Sequence, residues 1–287
     1  MSQTDNIIGA DAEALATALR GRELELHYQP KVALGSNELV GVEALARWRH
    51  PKLGFIPPTH FIPLAESAGL IDAITEWVIA EAARQWSEWH AAGLTTRIAV
   101  NISAVNLGHI DFPDLVGGIL RSAKVNCAHF EIELTESATQ NAVNLLDTLT
   151  RLRLKGIHLA IDDFGTGYSS LLQLQRLPFS SIKIDRSFVG NADRSEDCRV
   201  IIRSVIDLAH NLGMEAVAEG VETETTLQLL RDLGCDVVQG YFIGRPRPGP
   251  AMLDFDKDWR QRHPAQPRTG PVEIAPARDR HRARRGA

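Results

Sequence analysis

The feature that most constrains the fold is a regular alternation of short β-rich runs with longer amphipathic segments. Most of the runs contain Val, Ile or Thr, which favour strands. Eight of them occur, at residues 24–30, 39–48, 97–103, 130–136, 158–164, 181–185, 215–221 and 237–243. Between most runs, apolar residues recur at the spacing of a helix, as they do at 71–92, 139–155 and 197–213. Gly156 and Gly213 follow two of these segments, where glycines commonly end helices.

Eight strands with intervening helices predict an α/β fold, a (β/α)8 TIM-like barrel. The alternative is an open doubly wound sheet, but such a sheet needs no eighth strand and usually carries a glycine-rich first turn. The sequence contains no GxGxxG motif. The link between the first two runs is short and contains Gly35 and Asn37, which favours a hairpin. We therefore expect a barrel with an antiparallel first strand.

The barrel is expected to occupy residues 12–254. Residues 1–11 form a short polar N-terminal extension, and residues 255–287 are rich in Pro and Arg without apolar periodicity, which predicts a disordered tail. The net charge is −5, and the Arg residues of the tail mean that the rest of the chain is more acidic still. An acidic body argues against a nucleic-acid polymer as partner, because non-specific binders need a basic face.

The sequence also predicts the cellular compartment of the protein. The N-terminus lacks the basic and apolar regions of a secretory signal, and no apolar run approaches the ~20 residues of a membrane span. The three cysteines lie far apart without metal-ligand spacing, which is typical of free thiols in a reducing compartment. These features together predict a cytoplasmic protein.

Polar and charged side chains lie at or near the end of most β-rich runs. They are Gln29, Glu43, Arg47, Asn101, Glu133, Glu136, Asp162, Asp163, Lys183, Asp185, Glu219, Glu222 and Gln239. The carboxyl ends of barrel strands face one rim, where active sites are built, so we expect these residues to converge. Taken singly, most have a structural explanation, since Asn101 can form a turn and Asp162 can cap a helix. Together they predict a functional site, because neighbouring carboxylates repel one another unless a cation neutralises them.

The types of donor indicate which cation. Carboxylates and the Asn101 carbonyl are hard oxygen ligands, whereas His and Cys are absent from the strand ends. This pattern is atypical of zinc and favours Mg²⁺ or Mn²⁺. The neighbouring Asp162 and Asp163 suggest one bridging and one terminal ligand, and hence two ions about 3.5–4 Å apart. Such pairs serve in-line displacement at phosphorus.

A set of motifs then indicates a family. The string EAL at 43–45, with Arg47 two positions further on, resembles the EAL-domain cyclic di-GMP phosphodiesterases. The resemblance extends from about residue 12 to 250 and follows the order of the family. The further motifs are YQP (28–30), RWRHP (47–51), FIPLAE (61–66), VNIS (100–103), ELTE (133–136), DDFGTGYSSL (162–171), KID (183–185), AEGVE (218–222) and QGY (239–241).

The resemblance implies a role for each residue of the rim. The implied metal ligands are Glu43, Asn101, Glu133, Asp162, Asp163 and Glu219. Lys183 would orient or deprotonate the attacking water, and Glu219 would share the catalytic role. The implied substrate contacts, direct or supporting, are Gln29, Arg47, Asp185, Glu222 and Gln239. Glu136 would anchor the loop that follows the Asp pair.

The resemblance also implies a function, namely metal-dependent hydrolysis of cyclic di-GMP to linear pGpG in bacterial signalling, by a homodimer. Because every implied ligand and the loop sequence are present, we expect an active enzyme. Two alternatives stay open. One is a receptor that binds cyclic di-GMP without cutting it. The other is an enolase-like lyase, since Lys183 among metal carboxylates could abstract a carbon-bound proton, although the Asp pair and the full motif set argue against it.

Overall fold

The computed structural model describes residues 10–21, 23–141, 144–165 and 171–264. Its strands are β1 (Leu24–Ala33), β2 (Leu39–His50), β3 (Gly54–Ile56), β4 (Arg97–Asn101), β5 (Phe130–Thr135), β6 (His158–Phe164), β7 (Ser181–Ile184), β8 (Glu215–Ala218), β9 (Val237–Gln239) and β10 (Arg247–Pro248). Its helices are α1 (Ala12–Gly21), α2 (Pro58–Ser67), α3 (Ile71–Ala91), α4 (Ala104–Leu107), α5 (Phe112–Ser122), α6 (Ala138–Asn141), α7 (Leu145–Leu154), α8 (Leu171–Arg176), α9 (Arg186–Val189), α10 (Glu196–Asn211), α11 (Glu224–Asp232) and α12 (Ala251–Arg262), with a 3-10 turn at Cys127–His129.

Strands β1, β2 and β4 to β9 form a closed barrel. Successive strands from β2 to β9, with β3 outside the ring, pair in parallel. Strand β1 closes the ring by pairing antiparallel with both β2 and β9. The predicted (β/α)8 barrel with an antiparallel first strand is thus confirmed, and the open sheet is excluded because β9 pairs with β1. The eight predicted runs correspond to these eight strands.

Two short strands were not predicted. Strand β3 extends β2 as a hairpin, with Trp48 opposite Ile56 and Gly54 in the left-handed region (φ 73°) at the turn. Strand β10 pairs with the outer part of β1 at His27 and Tyr28. Both are too short to show a strand periodicity in the sequence, so only the tertiary pairing reveals them.

Side-chain alternation separates the core from the barrel interior. Along β5, Ile132 and Leu134 are fully buried apolar residues of the main core, whereas Glu133 contacts lysines from other barrel strands. This is the period-two pattern of a strand, in which neighbours face opposite sides. The helices cover the outside of the barrel, and α3 buries Ile74, Trp86 and Trp89 among others. The barrel interior is therefore free to carry charged residues.

The predicted helical segments match the structure, with one division. The segments at 71–92 and 197–213 form α3 and α10, while 139–155 divides into α6 and α7. Residue Asn144, at the start of α7, takes a left-handed conformation (φ 65°), which Asn tolerates better than most residues. The glycines Gly156 (φ 94°) and Gly213 (φ 72°) follow helices in the left-handed region, as expected of C-terminal caps.

The packed part of the chain extends beyond the predicted boundary at residue 254. Helix α12 runs to Arg262 and buries Met252, Phe255 and Trp259. The Trp259 indole donates a hydrogen bond of 2.7 Å to the carbonyl of Asn37, near the β1–β2 turn. Residues 255–262 are therefore corrected from tail to helix, because their apolar residues recur at helical spacing within a charged segment. The expectations for residues 1–9 and 265–287 lie outside the described residues.

No helix in the described part of the chain combines the length and the apolar character that crossing a membrane requires.

Helix α12 should contribute measurably to the stability of the barrel. We expect Trp259→Ala to lower the free energy of unfolding by about 3 kcal/mol, because it removes a buried indole and its hydrogen bond. Urea denaturation followed by circular dichroism measures this change. Lys257→Ala, at an exposed position of the same helix, is the matched control and should have little effect. Equal stabilities for the two variants would contradict the assignment of α12 to the core.

Candidate active site

Lys183 lies at the centre of a cluster of carboxylates at the carboxyl ends of the barrel strands. Its Nζ lies 2.6 Å from Glu133, 2.7 Å from Glu219, 3.0 Å from Asp162 and 3.9 Å from Glu43. These residues come from β2, β5, β6, β7 and the end of β8, so barrel closure brings together positions that are far apart in sequence. The convergence expected from the strand ends is present in the structure.

Glu43 is held from both sides by side-chain amides. Its Oε1 accepts a hydrogen bond of 2.7 Å from Asn101, and its Oε2 accepts one of 2.6 Å from Gln239. The same Gln239 amide donates to Gln29 at 3.1 Å, and Gln29 donates to the carbonyl of Gly244 at 3.2 Å. Strands β1, β2, β4 and β9 thus share one hydrogen-bonded layer at the rim. Gln239 also has a buried Oε1 atom without a hydrogen-bond partner.

A backbone irregularity turns two neighbouring aspartates toward one site. In a regular strand Asp162 and Asp163 would face opposite sides. The pairing of β6 with β7 shifts register between Ile161 and Phe164, and Asp163 takes a left-handed conformation with φ 54°. As a result, Asp162, Asp163 and Glu219 each place a carboxylate oxygen within 4.8 Å of the others. Asp is among the residues that best tolerate this conformation, and such irregularities often lie at functional sites.

The cluster carries more negative than positive charge. Five carboxylates, those of Glu43, Glu133, Asp162, Asp163 and Glu219, face Lys183 and its surroundings. Burial and the neighbouring carboxylates raise the pKa of Glu133 to about 8, despite the two lysines beside it. Burial, Asp162 and Glu43 likewise raise the pKa of Glu219 to about 7. Each shift marks a site that favours additional positive charge.

For Glu43 and Lys183, the neighbouring side chains shift the pKa against the effect of burial. Burial alone would raise the pKa of Glu43, but Lys183, Lys31 and the hydrogen bonds from Gln239 and Asn101 lower it to about 2. Burial would lower the pKa of Lys183, but the surrounding carboxylates raise it well above its usual value. Lys183 is therefore a charged ammonium that donates hydrogen bonds to its neighbours.

The remaining rim residues surround this cluster at different distances. Arg47 is half-buried, and its Nη1 donates to the carbonyl of Ala46 at 2.9 Å. Asp185 caps α9 by accepting a hydrogen bond of 3.0 Å from the Ser187 backbone. Glu222 is exposed in the loop between β8 and α11. Arg47 and Asp185 lie close enough to interact electrostatically with Glu43 and Asp163, whereas no contact joins Glu222 to the cluster in the described part of the chain.

Glu136 contacts the segment that follows the Asp pair. Its Oε2 accepts a hydrogen bond of 3.1 Å from the backbone of Gly165, and its own N–H donates to the Asp162 carbonyl at 3.1 Å. The predicted anchor therefore touches the beginning of this loop. Residues 166–170, which include most of the loop, lie outside the described residues.

Sequence reasoning missed a second group of charged residues deeper in the barrel. We call this group the inner ion-pair network; it comprises Lys31, Arg97, Glu131 and Glu215. Lys31 binds Glu131 at 3.2 Å, and Arg97 bridges Glu131 at 3.1 Å and Glu215 at 3.0 Å. Strand alternation could have found it, because each member lies two or four positions from a rim residue on its own strand, as Glu131 does from Glu133.

The oxygen donors at the rim suit a hard divalent cation. Carboxylates supply the ligands of the cluster that the described residues contain, at Asp162, Asp163 and Glu219. Glu43 and Glu133 add two more carboxylates through their contacts with Lys183. Asn101 donates its amide nitrogen to Glu43, and the carbonyl oxygen of the same amide is a further oxygen donor. Such donors fit Mg²⁺ or Mn²⁺ better than softer metals.

The fold and the site define a TIM-like barrel protein with an acidic site at the carboxyl rim. The chain belongs to the EAL domain family, which it matches over residues 12–246. This match covers the whole barrel and every predicted site residue.

Individual relatives agree with the family. The chain is 45% identical over 241 residues to the bifunctional diguanylate cyclase/cyclic di-GMP phosphodiesterase MucR of Pseudomonas aeruginosa, covering 83% of this chain and 35% of the relative. It is 44% identical over 250 residues to the cyclic di-GMP phosphodiesterase NbdA of the same organism, covering 86% and 32%. The chain therefore spans about a third of the length of these curated relatives.

A solved structure is similar over nearly its full length. The complex of the PaMucR phosphodiesterase with c-di-GMP superposes with a TM-score of 0.80 at 44% identity, covering 84% of this chain and 98% of that one. The barrel described above is thus the fold of that phosphodiesterase structure.

Lys183 should be essential to the stability of the metal-free protein. We expect Lys183→Met to lower the free energy of unfolding by about 3 kcal/mol in buffer with EDTA, because removing one partner of a buried ion pair leaves uncompensated charge. Urea denaturation measures the change. Lys155→Met is the matched control, because its side chain is 26% exposed and that of its partner Asp114 is 61% exposed, and it should have far less effect. If Lys183→Met were as stable as the wild type, the carboxylates would not need Lys183 to neutralise them.

Proposed function

We propose that this chain is a metal-dependent phosphodiesterase that hydrolyses cyclic di-GMP to linear pGpG. The observation that carries the proposal is the ring of carboxylates around Lys183 at the carboxyl rim of an EAL-family barrel. Relatives that share about 45% of its residues are named cyclic di-GMP phosphodiesterases. The donor set and the relatives therefore point to the same reaction class.

The proposed cofactor is a pair of Mg²⁺ or Mn²⁺ ions. Glu43, Asn101, Glu133 and Asp162 would hold one ion, while Asp162 and Asp163 would hold the other, with Glu219 completing the site. The five carboxylates of the cluster outnumber the two lysines beside them, Lys183 and Lys31, so the site has an excess of acidic groups that divalent cations would balance. When bound, such ions stabilise the charge that develops on the attacking and leaving oxygens.

The substrate contacts are proposed from the outer ring of the site. Arg47 presents a guanidinium beside the cluster, and such a group suits a phosphodiester anion. Gln239 has a buried Oε1 without a hydrogen-bond partner, so a small rotation of its side chain would let this atom accept a hydrogen bond from a guanine base. Gln29 holds the Gln239 amide in place. Asp185 and Glu222 would support substrate binding from the loops that follow β7 and β8.

Lys183 and Glu219 are proposed to orient the attacking water. They lie 2.7 Å apart, and the Glu219 side chain is 18% exposed, the largest value among the partners of Lys183. Water therefore reaches the cluster most easily on the Glu219 side. Because Lys183 is an ammonium among carboxylates, it acts as a hydrogen-bond donor, and we favour orientation of the water over its deprotonation by this lysine.

Incubation of the purified chain with cyclic di-GMP tests the proposal. We expect pGpG to form with Mg²⁺ or Mn²⁺ and not with EDTA, as followed by chromatography. Glu43→Gln should abolish turnover, because it removes one charge from the cluster while keeping the size of the side chain. Glu196→Gln, at an exposed position of α10, is the control and should turn over at the wild-type rate.

The possible outcomes separate the three functions. Full hydrolysis by Glu43→Gln would refute the assignment of the metal site. Binding of cyclic di-GMP without hydrolysis under either metal would identify a receptor. Failure to bind any guanine dinucleotide would favour a different barrel enzyme, such as the enolase-like lyase.

We also propose that the chain forms a homodimer, as the resemblance implies. The exposed apolar side chains of Val105, Ile110 and Leu146 support this proposal. The Ile110 carbonyl accepts a hydrogen bond from Arg151 of α7, the helix that carries Leu146, so Ile110 lies beside this helix. Light scattering should give about twice the chain mass of 31.6 kDa. A mass equal to that of a single chain would contradict the dimer.

A further inference from the structure

Glu133 is bound at each of its two oxygens by a different lysine. Lys183 donates to Oε2 at 2.6 Å, and Lys31 donates to Oε1 in a short contact. Glu133 is fully buried, and Lys31 is 4% exposed. The proposed function assigns a role to Lys183 and Glu133 but none to Lys31.

The backbone fixes where Lys31 can place its ammonium. Lys31 lies on the antiparallel strand β1, opposite Gly41 of β2 and Gln239 of β9. A Cβ atom added at Gly41 would lie 3.4 Å from Cδ of Lys31, so the lysine stem passes directly over the backbone of Gly41. The stem therefore crosses β2 at a glycine and reaches β5 on the other side of the barrel.

Within the inner ion-pair network, the Lys31 ammonium is also held on the side away from the rim. Lys31 donates to Oε1 of Glu131 at 3.2 Å, two residues before Glu133 on β5. Arg97 donates to the other oxygen of Glu131 at 3.1 Å, and it also binds Glu215. Lys31 is thus the link between this network and the rim, since it contacts both Glu131 and Glu133.

We propose that Lys31 is a positioning residue, which binds Oε1 of Glu133 and thereby directs Oε2 toward Lys183 and the cation site. The inference rests on the proposed function. Lys183 cannot replace Lys31, because its Nζ contacts the opposite oxygen and three further carboxylates at the rim. Without Lys31, the Glu133 carboxylate loses the contact that opposes its rotation. Groups that orient metal ligands in this way typically contribute about 10–100-fold to metal affinity or activity.

The direction in which cation affinity changes when Lys31 is replaced distinguishes a positioning role from a purely electrostatic one. Removing a positive charge near a cation site should, by charge alone, tighten binding of a divalent cation. Loss of a positioned ligand should weaken it. A measurement of cation affinity in a Lys31 variant therefore has opposite expected results for the two roles.

Lys31→Met in the full chain provides the test. The free aqua Mn²⁺ signal in electron paramagnetic resonance gives the Kd for Mn²⁺ without any need for turnover. We expect this Kd to rise about 10–100-fold, kcat to fall, and KM for cyclic di-GMP to stay unchanged. A Kd equal to or below that of the wild type would overturn the inference.

Two further variants separate positioning from stability. Lys31→Met/Glu131→Gln removes one negative charge together with the lysine, which restores charge balance beside Arg97 and carries the test if the single variant does not fold. Its Kd for Mn²⁺ should stay raised; recovery to the wild-type value would show that Lys31 only neutralises Glu131. Arg97→Gln, which disturbs the network without touching Glu133, should keep the wild-type Kd.

The experiment also separates this inference from the proposed function. If the wild type hydrolyses cyclic di-GMP while Lys31→Met keeps wild-type Mn²⁺ affinity and kcat, the function stands and the inference fails. If the wild type does not hydrolyse it, the function fails and the Kd for Mn²⁺ alone decides the role of Lys31.

Discussion

The structure depends on the neutralisation of carboxylates inside a closed barrel. Transfer of an unpaired carboxylate from water into a protein interior costs roughly several kcal/mol. Glu133 has no exposed surface, yet it lies within hydrogen-bonding distance of lysines from two other strands. Lys183 reaches it from the parallel strand β7, and Lys31 reaches it from the antiparallel strand β1. Closure of the barrel is therefore required to pair its buried charged side chains, as well as to assemble the site.

Strand geometry converts sequence spacing into position within the barrel. Residues two apart on one strand face the same side, so Glu131 and Glu133 occupy successive levels of the interior. The lower level is closed by Arg97 and Glu215, and the upper level opens at the rim. The exception is the Asp162–Asp163 pair, where a register shift and a left-handed residue bring neighbouring side chains to one level. The rim thus gains a carboxylate that a regular strand would turn away.

The sequence predicted the eight barrel strands and the residues that gather at the rim, because both depend on local patterns. The strand runs can be recognised from their residue types, and the carboxyl ends of barrel strands all lie at one rim. It did not predict β3 or β10, which are defined only by pairing, nor helix α12, whose buried Phe255 and Trp259 are surrounded in sequence by charged residues. It also missed Lys31 and Arg97; strand alternation indicates that both face the barrel interior, but it does not show which charged residue on a distant strand each one binds.

Exposure divides the carboxylates of the site into two kinds. The side chain of Glu133 is 0% exposed and that of Glu43 is 9% exposed, whereas those of Asp162 and Glu219 reach 12% and 18%. The buried pair is fixed by lysines and amides, so its geometry is set before any ligand arrives. The more exposed pair borders solvent, on the side from which the proposed phosphodiester substrate would approach. A site of this form combines a rigid, charge-balanced floor with an acidic rim, and the rim retains the excess negative charge that a divalent cation would bind.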